Sequence, residues 1–297
     1  MASTIGWELY RTFLAVMEEG SLSGAARALG LTQPTVGRQV SSLEKALGLH
    51  LFTRSQSGLL PTDAARALLA DAASMRSTAS ALERTARGFG EGIQGAVRVS
   101  ASEVVGVEVL PPILTRLQQR YPDLQMELVL SNEVQDLVRR EVDIAVRMTT
   151  PTQDVLLATR VGDVLLGLHA HPAYVQRQGQ PETMAELGRH CLIGFDRETP
   201  FIRGAQRHIG AWTRDKFSWR SDSDLAQLAL IRAGAGIGVC QVGLAAREPG
   251  LVRVLPNAFS FKLTTWVAMH EGLRDSPRCK VVFDGLVAGL REYVQKR

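Results

Sequence analysis

The chain has 297 residues, 45% of them hydrophobic and 22% charged, with a mean hydropathy of 0.00 and a net charge of +4. This profile is globular and of two- or three-domain length; it excludes a disordered chain, and no apolar run reaches the roughly 18–20 residues that cross a bilayer. The charge alone does not point to nucleic acid: residues 1–92 hold 9 Lys/Arg against 8 Asp/Glu, and the remainder 25 against 22.

In chain order, Leu9, Phe13, Val16 and Met17 mark the apolar face of a first helix ended by Gly20. Ser21 can cap a second, short helix with Leu22, Ala25, Ala26 and Leu29 inside and Gly30 closing it. Thr32 can cap a third, in which Pro34 is tolerated in the first turn and Val36, Val40, Leu43 and Leu47 face inward. Leu49, Leu51 and Phe52 then lead into Arg54-Ser55-Gln56-Ser57-Gly58, which reads as a small hairpin. Over residues 62–89, Ala65, Leu68, Ala72, Met75, Ala79, Leu82, Ala86 and Phe89 recur at spacings of 3 and 4, a heptad seam on a helix of roughly 40 Å. The seam can pack on its own domain, but small Ala on one line suits the close approach of two helices, and a dimer coiled coil is the preferred reading. Gly88, Gly90, Gly92 and Gly95 break this helix and predict a hinge.

Beyond the hinge, strands are expected at 96–101, 124–130, 142–147, 163–169, 191–195, 236–240 and 261–269. Helices are expected at 110–120, 133–140, 171–178, 223–233 and 278–295. Such alternation predicts an α/β domain with largely parallel sheets, built as one large domain or two lobes. Cys191, Cys240 and Cys279 stand far apart and are odd in number, so neither a disulfide framework nor a zinc site is expected. Glu8, Arg11, Glu18 and Glu19 interrupt the N-terminal apolar stretch, which therefore does not read as a signal peptide; a cytoplasmic protein is expected.

The segment from Ser21 to Leu47 has the small-residue logic of a helix-turn-helix. Ala26 lets two helices approach, Gly30 makes the turn, and Val36 plugs the second helix onto the first. Thr32, Gln33, Thr35, Arg38, Gln39 and Ser42 remain for the outer side. Gln and Arg can pair with base edges, while hydroxyls and the helix start hold phosphates. Within 21–62, Arg27, Arg38, Lys45 and Arg54 face one acid, Glu44.

The residues Phe13-Leu14-Ala15-Val16, Gly20-Ser21-Leu22, Ala25-Ala26-Arg27-Ala28-Leu29, Thr32-Gln33-Pro34-Thr35-Val36, Leu51-Phe52-Thr53-Arg54 and Leu60-Pro61-Thr62 resemble, in register, the N-terminal block of LysR-type transcriptional regulators. Tyr121-Pro122-Asp123, Asp143-Ile144-Ala145-Val146-Arg147, Pro172-Ala173-Tyr174, Gly234-Ala235-Gly236-Ile237-Gly238 and Leu251-Val252-Arg253-Val254-Leu255-Pro256 resemble patches of that family's effector domain more loosely. The resemblance implies a winged helix-turn-helix (residues 1–61), a linker and dimerisation helix with hinge (62–95), and a two-lobed periplasmic-binding-protein-like (type 2) effector domain (96–297). Lobe I would comprise about 96–162 plus 268–297, and lobe II about 163–267. It places DNA reading on Gln33, Pro34, Thr35, Gly37 and Arg38, with Thr32 and Arg54 near phosphates. The family usually carries Ser where this chain has Gly37, leaving two accounts open, a missing hydroxyl contact or a closer approach to DNA. A further departure is Cys240-Gln241, where many members carry proline.

The resemblance also implies an effector cleft between the lobes, drawing on Ser100, Ala101, Ser102, Phe201, Ile202, Ser221 and Asp222. Phe201 can stack on an aromatic effector or sit in a core, and the serines can equally be strand-end turn residues. Glu103 beside them repels a carboxylate, so a neutral or amine-bearing effector is expected rather than a simple dicarboxylate.

Catalytic motifs are missing: no G-x-S-x-G, Walker A or H-E-x-x-H occurs. Ser42-Leu43-Glu44-Lys45 matches S-x-x-K on the expected recognition helix, and Gly234, Gly236 and Gly238 lack the third glycine of a dinucleotide loop, Val239 standing in its place. His169 and His171 lack further ligands for a metal. The expected protein is thus a non-enzymatic regulator without cofactor. Its partners are double-stranded DNA with an interrupted palindrome, an unidentified small-molecule effector, RNA polymerase if it activates, and a second copy of itself, with tetramers a family expectation. An effector-independent regulator, or a small-molecule-binding module without DNA function, are the alternatives.

Overall fold

Each of the first three helices ends on a glycine in the left-handed region, Gly20, Gly30 and Gly48, with φ of 65°, 65° and 69°. These stops fix α1 (Trp7–Glu19), α2 (Leu22–Leu29) and α3 (Gln33–Leu47). Ser21 and Thr32 cap the second and third, their hydroxyls accepting from the N–H of Gly24 and Thr35. The computed structural model describes residues 5–55, 58–87, 93–131, 137, 141–151, 155–199, 202–203, 213–247 and 250–295. The chain falls into two compact units, one up to Ala86 and the other from Arg87 on, apart from 139–141.

In the first unit Val36 has no exposed surface and sits among Ala15, Val16, Ala25, Ala26 and Val40, holding α3 against α1 and α2. β1 (Phe52–Ser55) and β2 (Gly58–Pro61) pair antiparallel as the wing. The wing is docked by the Leu59 N–H donating to Gly20 O at 3.0 Å. Gly58 is needed there, because its φ is 130° and a Cβ would lie 2.8 Å from that same oxygen. Glu44 turns to the wing strand, its Oε1 accepting from Leu51 and Phe52 N–H at 2.7 and 3.3 Å.

α4 (Asp63–Arg87) carries the heptad positions, and they divide. Ala65 and Ala72 are buried with Phe13, Leu14, Leu43 and Leu51, and Leu68 packs against the same cluster. The expectation that Ala65 and Ala72 line a free dimer seam is therefore corrected, since the α1–α3 core needs that part of the helix as its cover. Met75 and Leu82 remain 40% and 62% exposed. Gly88, Phe89, Gly90 and Gly92 lie outside the described residues.

The second unit runs β3 (Gly95–Ala101), a π-turn (Val105–Val109), α5 (Leu110–Arg120), β4 (Leu124–Leu130), β5 (Ile144–Arg147), β6 (Leu156–Ala170) and α6 (Pro172–Gln178). It continues with β7 (Leu192–Gly194), β8 (Phe217–Arg220), α7 (Asp224–Arg232), β9 (Gly238–Gln241), α8 (Val242–Ala245), β10 (Val252–Val254), β11 (Phe261–His270) and α9 (Pro277–Gln295). The main sheet has the order β10-β6-β11-β5-β3-β4, with β9 also on β6. β3 pairs parallel with β4 and β5, and β7 with β8, but β6–β11, β11–β5, β6–β9 and β6–β10 are antiparallel. The expectation of largely parallel sheets is corrected: the chain leaves along β6 and returns along β11, so these two strands must oppose each other. Short β8 and β10 and the first half of β6 escaped the sequence pattern. The helix expected at 133–140 lies outside the described residues apart from Leu137.

Two large cores mark the lobes of this unit, and a smaller cluster of Ile193, Leu228, Ile231, Cys240 and Leu244 shares strands β7 and β9 with the second of them. The first gathers Val97, Val99, Leu110, Ile113, Ile144 and the inner face of α9, and it includes Val164, Leu263 and Val267. The second gathers Leu168, Tyr174, Leu192, Phe217, Ile237, Val254 and Phe259. Val164, Leu263 and Val267 pack in the first core although they fall in the stretch expected for lobe II, and β6 passes from that core into the second. Asp143, buried at the head of β5, ties β5 to β3 by accepting from the Arg98 N–H at 2.8 Å. Among the described residues no helix is long and apolar enough to cross a membrane.

His169 lies buried near the end of β6, its Nδ1 3.0 Å from Gly167 O, while His171 caps α6 by accepting from the Ala173 N–H. Burial pulls the His169 imidazole from 6.5 down to about 4. Below the unperturbed value the unfolded chain takes up a proton that the folded unit refuses. Stability should therefore fall as pH drops from 6.5 towards 4, by up to roughly 3 kcal/mol. Urea unfolding at stepped pH should show this loss in the wild type and a shallower one in His169→Asn; equal slopes would contradict it.

Candidate nucleic-acid interface and ligand site

The polar side of α3 is set by its buried side. Because Val36, Val40 and Leu43 face the core, Thr32, Gln33, Pro34 and Arg38 stand exposed at the start of the helix, with Thr35 and Gly37 half-buried beside them. The hydroxyls of Thr32 and Thr35 lie 2.8 Å apart, so each is held in place by the other. Arg54 is exposed on β1, opposite Leu59. Ser42 is exposed as well, but Gln39, expected on the outer side, is not free to read anything: the buried Thr12 hydroxyl on α1 donates to its Oε1 at 2.6 Å. Gln39 is thus a positioning residue that fixes α3 on α1. The helical pattern could not reveal this, because the partner is 27 residues away.

In the second unit, Ser100 and Ala101 have no exposed surface, and only Ser102 of that trio is half-buried. Ser100 is held by the last residue of the Asp143–Arg147 patch. Arg147, at the end of β5, donates from Nη2 to Ser100 Oγ at 3.0 Å and from Nη1 to Ser100 O at 3.3 Å. Burial lowers the Arg147 pKa. Its Nε is buried without a hydrogen-bond partner among the described residues, and so is Nε1 of Trp266, the residue directly opposite it on β11. Two unmet donors on neighbouring strands are costly in a protein interior and mark a place that an acceptor group would satisfy. The only advance signal was a charged residue closing an apolar strand.

Ser221 and Asp222 follow β8. The Ser221 N–H donates to Gly194 O, and Asp222 Oδ1 accepts from the N–H of Asp196 and Arg197 at 3.1 and 2.9 Å. Asp222 therefore anchors the turn after β7. Ile202 is buried, and Phe201 lies outside the described residues.

Comparison with known proteins places both units. Residues 7–66 match the family described as bacterial regulatory helix-turn-helix protein, lysR family, and residues 90–291 match the LysR substrate binding domain. The HTH-type transcriptional regulator CrgA of Neisseria meningitidis serogroup C (strain 8013) is 31% identical over 183 residues, 62% of this chain and 61% of its own length. A regulator of Xanthomonas campestris pv. campestris (strain 8004) is 30% identical, with 53% of its length matched, so the chain spans about half to three fifths of these relatives. The HTH-type transcriptional activator TtdR of Escherichia coli (strain K12) is 26% identical over 292 residues, 96% of this chain and 94% of its own. Among solved structures, CrgA from Neisseria meningitidis superposes with a TM-score of 0.57 at 25% identity, covering 97% of this chain and 99% of that one. Full-length CbnR in complex with its target DNA gives 0.68 at 22% identity, again covering 97% and 99%.

Gly37 has no role in this packing that demands glycine. A Cβ built there meets only Leu22 Cδ1, at 3.6 Å, an ordinary contact, and its φ is not in the left-handed region. A mid-helix glycine costs about 0.5–1 kcal/mol against alanine. Gly37→Ala should therefore raise the unfolding free energy of the first unit by that amount in a urea titration; a lower midpoint would mean that the helix needs the glycine after all.

Proposed function

This chain belongs to the LysR family of regulators, and from that premise we propose that it is a sequence-specific DNA-binding transcriptional regulator. Its binding or bending of DNA is set by a small-molecule effector held between the two lobes of the second unit. One observation carries the DNA half of the reading. The start of α3 presents Gln33, Pro34 and Arg38 to solvent on a helix whose other side is locked into the core, and Arg54 is exposed on the wing. Gln33, Pro34, Thr35, Gly37 and Arg38 read the major groove, and Thr32 and Arg54 hold the backbone. A CbnR complex with its target DNA supports the assignment of this fold to DNA. The protein acts in the cytoplasm on an interrupted palindrome, meets RNA polymerase where it activates, and catalyses no reaction.

The chain pairs with a second copy through the exposed part of α4, where Met75 and Leu82 continue the seam with Ala79 after Ala65, Leu68 and Ala72 have been used by the first unit's own core. The functional divisions are the winged helix-turn-helix to Pro61, the linker to Gly95 and the effector-binding part from Ala96. The effector lies near Ser100, Ser102, Ile202 and Ser221. The unmet donors of Arg147 and Trp266 favour an acceptor on its first-lobe side.

Arg38→Ala should weaken binding to a selected site by about 1–3 kcal/mol while leaving binding to random DNA nearly unchanged. Fluorescence anisotropy at two salt concentrations checks this, and equal loss on both DNAs would make Arg38 a phosphate contact. Met75→Glu combined with Leu82→Glu should yield monomers by sedimentation at micromolar concentration; surviving dimers would place the pairing surface elsewhere.

A further inference from the structure

Among the described residues, one short segment carries several of the hydrogen bonds that cross between the lobes of the second unit. Residues 103–109 follow β3 on the first lobe, and within them Val105–Val109 wind as a π-turn, closed by the Leu110 N–H donating to Val105 O five residues back. That i→i+5 winding brings residues five apart round to nearly the same side, and isolated π-turns recur at functional positions. Glu103 stands two residues before this turn and Glu108 lies within it. Both reach α7 on the second lobe, one at each end.

Glu103 Oε2 accepts from the Ser223 hydroxyl at 2.8 Å and lies 3.5 Å from the Leu225 N–H, while Ser223 Oγ caps α7 by accepting from Ala226 N–H. At the other end, Arg232 Nη1 donates to Glu108 Oε1 at 2.7 Å. Between them Val104 packs against the cluster of Leu228 and Ile231. The arrangement matches the helix dipole, with a carboxylate at the amino end and a cation in the last turn. Two further bonds extend the seam: Arg247 donates to Glu108 O at 3.3 Å with its guanidinium 4.7 Å from the Tyr293 ring, and the Tyr293 hydroxyl donates to Gln241 Oε1 at 2.6 Å. The Glu108–Arg232 side chains keep 21% and 33% of their surface in solvent, so the pair is neither fully screened nor locked by complete burial.

We propose that Glu103 and Glu108 form a latch that holds the lobes together when no effector is bound, and that an effector engages α7 by taking over the Ser223 hydroxyl and first-turn amide from Glu103. Glu103 is then a specificity-determining residue, because an effector entering here must offer an acceptor good enough to replace a carboxylate or settle beside one that stays. The proposal rests on the reading that the effector lies between the lobes. The test uses no effector, so the latch and that reading can fail separately.

Hydrogen exchange of the full-length protein reads the latch directly. One opening event breaks both ends, so Glu103→Ala and, separately, Arg232→Met should each raise amide exchange by a similar factor, about 3- to 10-fold, at Leu225–Ala226 and at 229–233 alike. Exchange in 105–110 should rise with them. A rise confined to the end carrying the substitution, or no rise at either end, overturns the latch and leaves two local contacts. Ser223→Ala removes the same contact from the other side and carries the test should Glu103→Ala not fold.

Discussion

The second unit depends on one antiparallel ladder. β6 and β11 pair from Leu156↔His270 to Leu166↔Phe261, interrupted by an irregularity between Thr265 and Trp266. β11 carries β5, and through it β3 and β4, while the far end of β6 carries β9 and β10. Every strand of the main sheet therefore hangs from these two. Gly162 sits at the irregularity with φ of 141°, and a Cβ there would lie 2.7 Å from Val294 on α9. A side chain at that position would strain the backbone and push the last helix off the strand that joins the lobes.

Because β6 runs unbroken from the first core, at Val161 and Val164, into the second, at Leu168 and Ala170, changes in the relation of the lobes are bends of that strand combined with breaking of the seam at 103–109. The strand sets where motion can occur; the seam sets how much it costs. The same logic governs the first unit on a smaller scale. Val36 and the Thr12–Gln39 hydrogen bond hold α3 on α1, and the wing hangs from Gly20 O through the Leu59 N–H. Side chains on a helix fixed at several points lose little further freedom on binding a partner.

Local features were legible in advance. Ser21, Thr32, Gly20 and Gly30 announced helix starts and stops through capping and left-handed backbone, and both hydroxyls and both glycines do that work. The family resemblance of the N-terminal block and the two-lobed fold were legible too. Features set by distant partners were not. Gln39 shares the polar side of α3 in the helical pattern, but a hydroxyl on α1 claims it. Ala65 and Ala72 satisfy a heptad whether their neighbour is another copy or the chain's own core, and only the packing of Phe13, Leu14, Leu43 and Leu51 distinguishes the two. Strand direction escaped for a similar reason, since alternation of strands and helices does not record that the chain crosses to the second lobe and comes back. Glu103 was singled out for its charge, yet its bond to Ser223 spans 120 residues.

The proposed function requires that the exposed start of α3, presented in pairs, reads DNA sequence. Selection of genomic fragments by the purified full-length protein at near-physiological salt, followed by footprinting of the fragments retained, tests it most directly, because phosphate-only binding fades there while base reading persists. Enriched fragments should carry two protected half-sites on one face of the duplex, about 10 base pairs or a multiple apart between centres. Retention without a common sequence, or protection of single unpaired sites, would contradict it.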